Sequence, residues 1–296
     1  MALLTKELLA IAFLWWAAAS SVHASCCSAT SASSVGRLQK HERAAITLAH
    51  QTSYLAAVFS STGTRQPRPR RDLPHLIFTN DLGLIFRLLP YVEPVAKVPL
   101  LVQVTRHRVG GGLGDVSLGA RFNILPYEIR DLWPKVSLVL LTKLPTGKAA
   151  NAPHEDITGF GLPWILPSLL LESSVKNYML GLNYGAEIPV VTAEHRQELV
   201  PGFMQNVVAS VNRPLFGRST GGLNVSYIWH APMKVENTRV PNSERRKLNV
   251  GLNLQLPLSS LVSVQTHAGA DLPFNHWGKN VGTQIVAGVS LRLGVY

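Results

Sequence analysis

The amino-acid sequence predicts an all-β fold, a transmembrane antiparallel β-barrel of about 12 strands with both termini periplasmic. Three observations predict it. From residue 43 onward, alternating segments of about ten residues or more recur between breaks, and no 20-residue apolar run interrupts them. Charged residues make up only 15% of the chain, against roughly 25% in ordinary soluble domains, while apolar residues make up 46%. The chain also opens with the pattern of an export signal.

Residues 1–24 read as a signal peptide. Lys6 opens it, Leu8 to Ala19 is apolar, and Val22-His23-Ala24 offers cleavage after Ala24. The apolar run is short for a membrane-spanning helix, although an uncleaved anchor is the alternative. Residues 25–42, rich in Ser and Ala, read as a flexible lead-in. Cys26 and Cys27 are the only cysteines, and no Cys/His set follows, so neither a cysteine-based zinc site nor any other metal or cofactor is expected.

Residues 43–296 form the barrel. Twelve segments lie near 43–59, 73–90, 97–107, 113–125, 133–145, 158–171, 176–189, 202–213, 220–231, 246–257, 260–270 and 281–295. The fourth sets the pattern. Val116, Leu118, Ala120, Phe122 and Ile124 make one face, and Asp115, Ser117, Gly119, Arg121 and Asn123 the other, the period of two that a strand imposes. Leu248, Val250, Leu252, Leu254 and Leu256 oppose Asn249, Gly251, Asn253 and Gln255 in the same way. Pro163 and Pro167 fall inside the sixth segment and mark it as irregular. Pro90, Pro94 and Pro99 bracket the second turn, and Gly110-Gly111-Gly112 reads as an outer loop tip.

A soluble, secreted β-sandwich shows the same alternation, but its outer face usually carries more charge. Connection lengths separate the two readings. Those after segments 1, 5, 7, 9 and 11 are long, those after 2, 6, 8 and 10 mostly shorter, as in barrels with short periplasmic turns and long outer loops.

The polar faces carry the candidate functional residues. Asp115, Arg121, Asn123, Lys143, Asn183, Glu187, Asn249, Asn253, Gln255 and Arg292 are candidate lumen-lining residues, with Asn224, Gln265, His267 and Gln284 on the same faces. They either line a path for solute or form a plugged, hydrogen-bonded interior that stabilises the barrel, and Asp115–Arg121 or Glu187–Arg292 pairs fit either reading. The formal charge of +11 comes partly from Arg65, Arg68, Arg70 and Arg71, a basic cluster in the first outer loop. Behind an export signal such a cluster points to lipopolysaccharide phosphates or plain solvation and not to nucleic acid.

No catalytic residues are assigned and the chain is not expected to be an enzyme. His154-Glu155-Asp156 lies in a long loop without a fixed partner, and no compact His–Ser arrangement like that of outer-membrane phospholipases appears. The glycines at 110–114 lack the following helix that a dinucleotide loop needs.

Two short motifs carry a family resemblance. Gly112-Leu113-Gly114-Asp115-Val116-Ser117-Leu118-Gly119-Ala120-Arg121 and Lys143-Leu144-Pro145-Thr146-Gly147 resemble the bacterial outer-membrane barrels named for the meta-cleavage pathway of phenol degradation. The resemblance implies a twelve-stranded barrel and passage of small, often hydrophobic or aromatic molecules. The expected function is therefore a passive channel or uptake protein of the bacterial outer membrane. The alternative is a structural or adhesive barrel with a plugged lumen and basic outer loops. The lipid bilayer, lipopolysaccharide and the barrel-assembly machinery are the expected partners. One feature departs from the usual barrel terminus. Tyr296 is aromatic but out of phase with the apolar face that ends at Val295, which implies either a bulge near the end or altered recognition by that machinery.

Overall fold

A computed structural model describes residues 38, 42–60, 65–66, 75–125, 134–148, 158–159, 161–191, 199–216, 219–235, 238–272 and 282–296. Residues 1–37, with Cys26 and Cys27, lie outside this set, as do Arg68, Arg70, Arg71 and His154-Glu155-Asp156. Twelve long strands form one closed ring. They are β1 (Ala44–Phe59), β2 (Leu76–Phe86), β3 (Val92–Val104), β4 (Ser117–Asn123), β5 (Lys135–Lys143), β6 (Trp164–Val175), β7 (Tyr178–Pro189), β8 (Met204–Pro214), β9 (Thr220–His230), β10 (Arg245–Pro257), β11 (Val262–Asp271) and β12 (Gly282–Val295). Each pairs antiparallel with the next, and β12 returns to β1.

That seam runs from Ala44 opposite Val295 to Val58 opposite Gly282, with one register shift between Leu55 and Ala57. Closure leaves no open edge to the ring, so strand pairs with strand all the way round, as lipid requires. The strands begin and end where turn residues interrupt alternation. Connections 87–91, 176–177, 215–219 and 258–261 are short and lie, with 124–134, at the end where β1 starts and β12 stops. At the other end, 60–75, 144–163, 190–203, 231–244 and 272–281 are longer, and 105–108 is a tight turn. We call these the short-turn end and the long-loop end. At the latter, Leu199–Val200, Lys234–Val235 and Thr238–Arg239 join two loops into a small three-stranded sheet.

The pattern of burial is inverted relative to a soluble protein. Leu48, Leu182, Leu252 and Ile285 are exposed on the outside, while Thr47, Gln103, Asn183 and Asn249 are buried inside. The outward face is an apolar belt for lipid and the inward face is polar. No helix among the described residues is long and apolar enough to cross a membrane.

The structure corrects several local expectations. Pro94 and Pro99 lie within β3, opposite Ala120 and Asp81, and do not bracket a turn. Gly110-Gly111-Gly112 is not a loop tip. It belongs to a short strand, Val109–Leu113, that pairs with the end of β3, and the tip lies at 105–108. Gly111 has φ 150°, and a Cβ there would stand 2.2 Å from the Leu101 carbonyl oxygen, so only glycine fits. β6 begins at Trp164, just after Pro163, and its ladder to β7 lapses at Leu166 and Pro167. β12 reaches Val295 in unbroken register, so no bulge realigns Tyr296. Its hydroxyl instead donates to the Ser260 carbonyl at 2.9 Å.

The two resemblance motifs meet in space. The expected single strand over 113–125 is interrupted at 114–116, between Val109–Leu113 and β4. Thr146 closes the break. Its hydroxyl donates to the Gly114 carbonyl at 2.8 Å and accepts from Val116 N–H at 2.9 Å. The Asp115 carboxylate accepts from Gly147 N–H at 3.0 Å, and Thr158 donates to the Leu113 carbonyl at 2.6 Å. Side chains thus replace the missing strand-to-strand bonds. Thr146→Val, which keeps the shape and removes the hydroxyl, should cost about 1–3 kcal/mol in urea unfolding from lipid vesicles. Thr146→Ser should restore most of it. Equal stability of the Val variant would contradict this role.

Candidate functional site

Because side chains alternate across the wall, the inward face of the ring is the candidate site. Its two sides differ. Along β2–β5 the interior is braced by ion pairs. Lys97 Nζ lies 2.9 Å from Asp81, and Arg87 and Arg121 each lie 3.8 Å from Glu93. Lys143 reaches across to Glu187 at 2.9 Å and stands 5.9 Å above the Trp164 ring. On the far side Lys247 and Asn249 Nδ2 both donate to Asp271 at 2.9 Å. Arg292 grips both oxygens of Glu42, one at 2.7 Å. Opposite charges inside a low-dielectric wall are tolerable only when paired, which accounts for this arrangement.

These geometries replace the pairs expected from sequence. Arg121 pairs with Glu93. Glu187 pairs with Lys143, and Arg292 pairs with Glu42. Asp115 holds the wall break closed. Asn123 accepts from the Ser137 hydroxyl at 2.9 Å. Glu42 and Glu93, each 1% exposed, were not singled out from sequence, because one lies ahead of the first alternating segment and the other in a stretch read as a turn.

The wall from β7 to β12 follows another rule. Directly opposed inward positions pair a glycine with a hydrogen-bonding side chain. Gly181 faces Ser210, Gly185 faces Asn206, Gly222 faces Asn212, Gly251 faces Asn224, and Gly288 faces His267. A Cβ at Gly222 would stand 2.2 Å from Asn212 Oδ1, and one at Gly251 2.7 Å from Asn224 Oδ1. The missing Cβ lets each amide lie flat on the wall and keeps the lumen wide. Asn212, Asn224 and Asn253 are half-buried, and Gln255 is exposed near the short-turn end. Asn183 is buried, and neither of its amide atoms meets a protein partner among the described residues. A polar group in that position implies a wet interior.

Part of the lumen is apolar. Ala45, Ile85, Val95, Val139, Leu141, Trp164 and Leu166 form a buried inward cluster, joined by Leu38 from ahead of β1. Alternation did not reveal it, since β5 is apolar on both faces. Leu38 is fully buried.

No group of three or more potential metal ligands occurs among the described residues. Of the basic outer cluster, only Arg65 is described, in a two-residue strand, Arg65–Gln66, that pairs with the end of β1.

The bracing pairs yield a stability test. Lys97→Leu leaves Asp81 facing the lumen without its ammonium partner, and should destabilise the barrel by about 3–5 kcal/mol in urea unfolding. Adding Asp81→Leu should recover much of that loss. If Lys97→Leu alone is neutral, the pair is not a brace.

Neither a family model nor a curated protein matches this chain. Solved structures do. An outer-membrane channel from Pseudomonas putida F1 matches with TM-score 0.68 at 10% identity, covering 90% of this chain and 99% of that one. The porin KdgM, solved with disordered oligogalacturonate, gives 0.48 at 7% identity, with 85% and 99% covered. The porin NanC gives 0.48 at 11%, with 83% and 98% covered. With its closed ring, apolar outer belt and polar interior, the chain has the fold of an outer-membrane channel.

Proposed function

We propose that this protein is a passive channel of the bacterial outer membrane for small, mostly neutral molecules with apolar surface. The observation that carries the reading is the two-sided lumen. A wall of neutral amides laid over glycines faces a wall bearing a buried apolar cluster. The paired charges leave little net field to attract an ion. An amphiphilic solute such as a phenol or small aromatic would satisfy both walls. This agrees with the resemblance of the 112–121 and 143–147 motifs to the phenol meta-pathway barrels, to which we assign the chain. In that placement residues 1–24 act as signal peptide, both termini lie in the periplasm, and the long-loop end faces outward. Arg65, Arg68, Arg70 and Arg71 would then lie near lipopolysaccharide phosphates, after insertion by the barrel-assembly machinery.

A second reading, a barrel with a closed lumen, is favoured by one observation. Leu38 sits in the inward cluster and Glu42 is held by Arg292, so these two side chains narrow the passage. Liposome swelling and planar-bilayer recording decide between the two. The channel reading expects uptake of small neutral solutes by the wild type. It also expects a larger conductance for the Leu38→Ala, Glu42→Ala double variant. A wild type sealed to ions and solutes, with a double variant no more conductive, would favour the structural barrel.

A further inference from the structure

The outward face of β1 and β2 holds three polar side chains where lipid-facing residues are otherwise apolar. Alternation places Leu48, His50, Thr52 and Tyr54 outward on β1, and Phe78, Asn80 and Leu82 outward on β2. His50 stands directly opposite Asn80 in the ladder. The Asn80 Oδ1 lies 2.8 Å from His50 Nδ1, and the Thr52 hydroxyl lies 3.2 Å from His50 Nε2. An amide oxygen only accepts, so the ring proton sits on Nδ1 and Nε2 is left to accept from Thr52. The ring is further held by stacking on Phe78, with centroids 6.1 Å apart and planes at 25°. The chain therefore runs hydroxyl to imidazole to amide oxygen.

Polar residues facing lipid are costly, and leucine or valine at these positions would suit the bilayer better. Beside the trio lies an apolar groove of about 560 Å³, lined by Leu48, Leu82, Val98, Leu100, Val289 and Leu291 together with His50 and Asn80. It lies on the lipid side of the wall, so a hydrocarbon chain dissolved in the bilayer can occupy it without entering the lumen.

We propose that Thr52, His50 and Asn80 form a lipid-facing hydrolase site for acyl esters dissolved in the membrane, separate from the channel. His50 Nε2 takes the Thr52 proton as Oγ1 attacks the ester carbonyl carbon. The tetrahedral intermediate collapses, the C–O bond to the alcohol breaks, and the alcohol leaves with the proton from His50. Water then attacks the acyl–Thr52 ester, giving its proton to His50. Collapse of this second intermediate frees the acid and returns the proton to Thr52, so that ester and water become acid and alcohol. Asn80 holds the imidazole in the required tautomer, the role an amide plays in Cys-His-Asn proteases. This is not the compact His–Ser arrangement of outer-membrane phospholipases. Here the nucleophile is threonine, and the third member lies thirty residues away, joined only by strand register.

The test uses the purified full-length barrel in mixed detergent–phospholipid micelles, with a long-chain p-nitrophenyl ester as substrate and a fluorophosphonate as covalent probe. The proposal expects ester turnover and probe attachment at Thr52. Thr52→Val and His50→Leu should each lower both by at least about 100-fold. Thr52→Ser, with a less hindered primary hydroxyl, should retain or raise them. Single-channel conductance and heat-modifiable gel migration should be unchanged in all three. Absence of labelling at Thr52 in a folded barrel would overturn the proposal, as would equal hydrolysis by the wild type and Thr52→Val. If the three variants change only the urea midpoint, the trio is structural and the proposal fails.

Discussion

Closure of the β1–β12 seam is the constraint on which the rest of this structure depends. A strand in hydrocarbon has no water to satisfy its backbone, so the last strand must find the first. Fourteen residue pairs, from Ala44–Val295 to Val58–Gly282, make that join. Once the ring closes, alternation alone decides which side chains meet lipid and which meet the interior. Where the ladder fails at residues 114–116, side chains repair it, and Thr146 supplies both a donor and an acceptor. The Gly-Asp and Thr-Gly motifs are explained by this repair.

The same constraint shapes the lumen. Residues turned inward leave both bulk water and lipid, so their charges must be matched nearby. Asp81 with Lys97, Glu187 with Lys143 and Asp271 with Lys247 satisfy that need between neighbouring or facing strands. Where the interior carries amides, glycine on the adjoining strand supplies the room for them. The first device stiffens the wall and the second widens it. The interior that results joins an apolar cluster to walls of amides and paired charges.

Much of this was legible in the sequence. Strands such as β10 and β12 alternate almost cleanly, since their Leu and Val positions face lipid while Asn, Gln, Gly and Ser face inward. Their bounds and faces follow from that alone. β3 was harder to read, because prolines usually end strands, yet here Pro94 lies opposite Ala120 and Pro99 opposite Asp81 within the ladders. On β5 and β6, Val139, Leu141, Trp164 and Leu166 are apolar and inward, so period two carries no contrast and the inner cluster stayed hidden. The ion-pair partners were legible only as residue types. Arg121 meets Glu93 because strand register places β3 beside β4. The His50–Asn80 contact depends likewise on register.

The central claim is that one chain places lipid and water on opposite sides of each strand. Spin labels at successive positions 248–256 of β10, in the barrel reconstituted into vesicles, test it most directly. Collision with dissolved oxygen should peak at Leu248, Val250, Leu252, Leu254 and Leu256, and collision with a water-soluble nickel chelate at Asn249, Gly251, Asn253 and Gln255. The account would be contradicted if the chelate reached the leucine positions, or if neither series alternated along the strand.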